Sequence, residues 1–124
     1  MAAPNIVNIT SMIGKTDTTS LTTTSATNIL ENAASSNKVL RVIMVRAVNT
    51  DGSNAADITV SLYSAAALGG TATELIQAKE VAINSNLDII TKDAPLYMEE
   101  DTSLGATASA ANDIKMIVTY DEIS

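Results

Sequence analysis

The chain has 124 residues, seven basic and fourteen acidic side chains for a net charge of −7, and 46% hydrophobic residues, among which three Tyr are the only aromatics. That length gives one domain able to bury a core. The absence of Cys and His removes disulfides, thiolate metal sites, thiol nucleophiles and the commonest general base, and with it most hydrolase triads, while the acidic balance argues against a phosphate-binding surface.

The N-terminal sequence M-A-A-P-N-I-V-N-I-T has neither a basic segment nor a long apolar run, so no signal peptide is expected, and no stretch of the chain is long and apolar enough to span a membrane. Residues 5–13, with Ile6, Val7 and Ile9, read as a first strand or an extended arm that Gly14 breaks. Residues 15–26 hold one large apolar side chain, Leu21, too little to bury alone, and so read as an edge strand or an arm lying on another surface. Ile29 and Leu30 mark a short strand over residues 27–31, and residues 32–37 a turn. Residues 38–49, K-V-L-R-V-I-M-V-R-A-V-N, are almost continuously apolar, which predicts a central strand covered on both faces.

Asp51-Gly52 is a hairpin signal. It predicts that residues 42–48 pair with residues 58–62, where Ile58, Val60 and Leu62 alternate inward with Thr59, Ser61 and Tyr63 outward. Residues 65–70 read as a connection with a short helical turn before Gly69 and Gly70. Strands follow over residues 75–83 and 87–91, separated by Asn84-Ser85-Asn86, and a loop over residues 92–95 leads to Tyr97. Leu96 and Met98 share a face, and Glu99-Glu100-Asp101 turns the chain. Leu104, Ala106 and Ala108 alternate with Gly105, Thr107 and Ser109. After a small-residue turn over residues 110–113, Ile114, Met116, Val118 and Tyr120 alternate with Lys115, Ile117 and Thr119, so the last two strands read as hairpin-linked. Without Phe or Trp, the core is built of Ile, Leu, Val, Met and Ala, which suits thin, closely packed sheets. The expected fold is an all-β antiparallel sandwich, jelly-roll-like or immunoglobulin-like, over residues 1–124, with residues 38–124 as its core and residues 1–31 as an extended arm or edge strands.

Chemistry-bearing groups are few. Asp51, Ser53, Asn54 and Asp57 offer oxygen ligands in one loop, but lack the spacing and closing Glu of a calcium loop and serve a plain turn equally well. Glu99, Glu100 and Asp101 resemble a carboxylate pair only in type, and read as a solvated corner that blunts an edge. Gly69-Gly70 is not followed by the Lys-Ser/Thr of a phosphate loop. Lys115, between Ile114 and Met116, reads as snorkelling outward. Arg41 and Arg46 are an odd number of residues apart, so a regular strand sends them to opposite faces. No catalytic, cofactor-binding or metal residue is expected, and no nucleic-acid or membrane partner.

The stretch N-A-A-D-I-T-V-S-L-Y-S, residues 54–64, and the closing P-L-Y-M-E-E-D-T-S-L-G-A-T-A-S-A-A-N-D with its Tyr-Asp-Glu-Ile-Ser end resemble small virion structural proteins of tailed bacteriophages, marine ones in particular. The resemblance runs from the turn before Lys38 onward. It implies a virion component present in many copies, a capsid decoration (cement) protein on the capsid surface, assembled in the host cytoplasm, with the major capsid protein and copies of itself in a homo-oligomer as partners. The residues agree in kind, with one domain and a polar N-terminal third suited to lying on a partner. A tail, neck or fibre subunit is the alternative in the same class. A carbohydrate-binding module is the alternative in another, and would need exposed rings from Tyr63, Tyr97 and Tyr120.

Overall fold

A computed structural model describes residues 9–124; the part of the expected first strand that precedes Ile9 lies outside the described residues. Nine strands follow: β1 (Met12–Ser20), β2 (Thr27–Asn32), β3 (Val39–Asn49), β4 (Ala56–Ala65), β5 (Gly69–Val81), β6 (Asn86–Ile90), β7 (Leu96–Met98), β8 (Thr102–Ala108) and β9 (Ile114–Ile123). They form two antiparallel sheets. Sheet A has the order β1-β9-β3-β6, with β7 pairing the other half of β3 on the same edge as β6, and sheet B has the order β2-β8-β4-β5.

The first strand pairs the last, the second the last but one, the third the β6–β7 run, and the fourth the fifth. That nested order is a long hairpin rolled up into two sheets, a jelly roll. An immunoglobulin-like sandwich would keep the first two strands together in one sheet, whereas here they lie in different ones. Both are outer strands, so the described part of the polar N-terminal third is edge strand rather than arm. Gly14 does not break it, and pairs Asp121 in the middle of β1.

Period two places the core. Val42, Val45, Ala47, Met116, Val118 and Ile114 from sheet A meet Ile58, Val60, Leu104, Ala106 and Ala108 from sheet B, all at 1% exposure or less. Leu21, the lone large apolar residue of its segment, is also at 1%, held by its N–H to the Ile114 carbonyl and its carbonyl to the Asn112 N–H. It carries the chain over from β1 to β2.

Two expected hairpins are absent, for one reason. β3 and β4 lie in different sheets, as do β8 and β9, so the Asp51-Gly52 loop and the residue 110–113 turn are arches across the sandwich. Both edges of β3 are taken by β9 and by β6 with β7, and both edges of β8 by β2 and β4, leaving no edge for a sequential neighbour. The only hairpin among these strands that joins sequence neighbours in one ladder is β4–β5. Its turn is not helical: Ala67 and Leu68 both have φ of 57°, the mirror-image geometry that matches strand twist. Gly70, at φ 70°, follows, and a Cβ there would collide with Ser64 Oγ.

The arches are held by buried asparagines. Asn32, at the end of β2, donates through Nδ2 to the carbonyls of Lys38 (2.9 Å) and Met98 (3.0 Å). Asn49, at the end of β3, donates to those of Asn54 (3.1 Å) and Val81 (3.0 Å) and accepts from the Asp51 N–H. Each ties a strand end in one sheet to a strand of the other sheet, so that a buried amide is itself satisfied.

Candidate interaction surface

The outward face of sheet A departs most from what the sequence led us to expect. The register of β3 against β9 runs Val42↔Tyr120 and then Met44↔Thr119, so Ile43 is an extra residue, a β-bulge. It resets the alternation: Val42 is inside before it and Val45 and Ala47 are inside after it. Arg41 and Arg46 therefore emerge on the same outward face, not on opposite ones. The near-continuous apolar run of β3 reflects this bulge and a partly apolar outer face; a single layer covers the strand.

On that face Ile43, Met44 and Val48 of β3 lie next to Ile117 of β9, all half-buried, with Thr16 and Thr18 of β1 alongside. Thr16 and Thr119 share a hydrogen bond of 3.0 Å. Ile43, Met44, Arg46, Asp88 and Thr119 line a shallow depression of about 330 Å³, and Val48, Lys115 and Ile117 border another of about 380 Å³. Tyr97 of β7, 47% exposed, stands opposite Arg41.

The charges here are organised across strands. Arg41 donates to Asp121 from both Nε and Nη2, the closer contact at 2.7 Å, and Arg46 holds Asp88 by a fork of 2.6 and 3.3 Å. The Arg46 guanidinium holds the Asp88 carboxyl below its ordinary range. With Lys115, which points to solvent as expected, the side chains in the outward register of these strands include three basic and two acidic ones, a net of +1. The rest of the chain, with four basic and twelve acidic, is net −8. Planar guanidinium groups held above apolar side chains are a common makeup of protein interfaces.

The other constellations are structural. Asp51 accepts from the Ser53 N–H (2.8 Å) and from Asn54 Nδ2, and the Ser53 amide holds its carboxyl below the ordinary value. Asp57 is held through its backbone, its N–H donating to Ser109 Oγ and its carbonyl accepting from the Ser109 N–H. Among the described residues, no group of three or more His, Cys, Asp or Glu is placed to hold a metal ion. The Glu99–Asp101 corner is not simply solvated. Asp101, at φ 60°, accepts from the Ala66 N–H and Glu100 from the Asn37 N–H, each at 3.0 Å. Asp101, with Glu31 on the Ala67 N–H and Ser103 on the Leu68 N–H, fastens the β4–β5 turn onto sheet B, whereas Glu100 holds the connection from β2 to β3. Gly69-Gly70 completes that same turn. Of the tyrosines, Tyr120 is 6% exposed and Tyr63 lies over Gly105, leaving Tyr97 as the one exposed ring.

The face went unread because its apolar members were assigned to a doubly covered strand. Ile117, an isoleucine in the outward register of β9, was the available signal. No protein-family model matches the chain, and no curated protein matches it.

Proposed function

We propose that this chain is a structural subunit of a tailed-bacteriophage particle, a capsid decoration protein that adheres to the head shell through the outward face of sheet A. One observation carries the reading beyond the sequence resemblance: a jelly-roll body that is acidic elsewhere presents one sheet face combining half-buried Ile43, Met44, Val48 and Ile117 with Arg41, Arg46 and Lys115. Such a face gains by losing water, and the acidic remainder keeps the opposite side soluble. A sugar-binding role has less support, since stacking on a sugar needs exposed rings and only Tyr97 offers one.

The test is the copy number of the protein in purified particles, counted by quantitative mass spectrometry against the shell protein. A decoration subunit is present at a fixed ratio to the shell protein. A few copies per particle, about three to twelve as a single symmetric ring or trimer set would give, would move the protein to the tail or neck.

A further inference from the structure

We propose that two copies of this chain join through the outer edge of β1, antiparallel about a two-fold axis at Thr16, into one sheet continuous across the pair. The inference does not depend on the phage reading. It starts from a contrast between the two long edge strands. β5 is interrupted by three register shifts against β4, has Ala78 at φ 45°, and carries Glu74, Lys79 and Glu80. Bulges and charges of this kind keep an edge from pairing with another chain. β1 has no bulge and no proline, and its two charges, Lys15 and Asp17, are of opposite sign: its nine residues run in unbroken register from Met12↔Ile123 to Ser20↔Lys115, and eight of the nine are exposed. Among the described residues, nothing pairs with its far side.

The hydrogen-bond phase of that edge is fixed. Ser11 exchanges both bonds with Ser124, each at 2.9 Å, and Leu21 donates to Ile114. Because the two kinds of pair alternate along an antiparallel ladder, the odd-numbered residues between them point their N–H and C=O groups at β9. Met12, Gly14, Thr16, Thr18 and Ser20 point theirs outward. Placing the two-fold axis at Thr16 sets Thr16 against its own copy, Gly14 against Thr18 and Met12 against Ser20, so every facing pair is one whose groups point across the new seam. The same register sets Lys15 opposite Asp17 of the second copy, and Asp17 opposite the second Lys15. The only two charges on the strand thus meet as opposite pairs, twice, where a parallel arrangement in register would oppose like charges. A second copy fits this edge because the edge is complementary to itself. The pairing would also set the two outward faces of sheet A side by side.

The test uses the full chain. Sedimentation equilibrium should give twice the chain mass, and hydrogen exchange should show the Gly14, Thr16 and Thr18 amides protected. Thr16→Pro removes an N–H that β9 does not use, so it should keep the monomer fold, halve the mass and return the Gly14 and Thr18 amides to fast exchange. Lys15→Asp and Asp17→Lys should each weaken the dimer at least tenfold, and the two together should restore it. Should Thr16→Pro disturb folding, this charge swap decides alone. A wild-type monomer, a dimer indifferent to Thr16→Pro, or a double variant no better than the single ones would overturn the proposal.

Discussion

Asn32 shows how much rests on single polar side chains in this core. It is 2% exposed, and its amide donates to two carbonyls from different segments. Alanine would remove both of these bonds between segments, a loss of about 2 kcal/mol, readable as a lower urea midpoint with an unchanged slope. Gly105 is a second such position. It is buried under Tyr63, and an added Cβ would stand 2.7 Å from the Tyr63 ring and 2.9 Å from Leu68 Cδ2. Gly105→Ala should cost about 1–3 kcal/mol through overpacking. The cost should shrink when Tyr63→Ala is also present, because the clash with the ring then disappears and only the contact with Leu68 remains, and a double-mutant cycle measures that coupling. Additive effects would mean that the ring does not lie over the glycine.

At the scale of the elements, ion pairs between neighbouring segments of sheet A set the pH response. Lys38, with Lys15, depresses the Glu122 carboxyl, as Arg46 does that of Asp88. Groups whose folded pKa is lowered contribute stability above their ordinary values of 4.5 and 3.8 and lose it as the pH falls through the depressed folded values. These pairs are exposed, so the acid loss should be shallow and should weaken further in high salt. Tyr120 runs the other way. Burial first, and the nearby Asp17 carboxylate second, raise its phenol from 10.0 to about 12. That contribution is complete below pH 10 and is lost as the pH rises toward 12. Thermal melts of Tyr120→Phe should lack the alkaline decline that the wild-type chain shows between those limits; an identical decline would place the cause elsewhere. Alternation was enough to place Ile58, Val60, Leu104, Ile114, Met116 and Val118 in the core from sequence, because each lies in an unbroken stretch of period two. Pairing partners were not legible in the same way. Asp51-Gly52 reports a local bend, and whether the chain returns to the same sheet or crosses to the other depends on which edges distant strands have already filled. The bulge at Ile43 was equally hidden, since one inserted residue changes every later facing without altering local composition. Arg41 and Arg46 were misassigned for that reason alone.

For the whole molecule, the central claim is that a jelly roll with one apolar, slightly positive face docks on a phage head by that face. Many copies of a modest contact strengthen a shell because each adds its own binding free energy to the assembled state. The position that separates docking from folding is Ile117. Its neighbour Val118 is 1% exposed, so Val118→Asp buries an unpaired carboxylate and should unfold the domain, whereas Ile117→Asp places the charge on the half-buried outer face and should leave the fold intact. The most direct measurement is the temperature at which heads release their DNA, followed with an intercalating dye, for particles lacking the protein and for the same particles recombined with wild-type chain or with Ile117→Asp. The account predicts that the wild-type chain raises the release temperature and that Ile117→Asp, though folded, does not. Protection by Ile117→Asp equal to wild type would contradict the assigned face, and particles equally robust with or without the wild-type chain would contradict the decoration role itself.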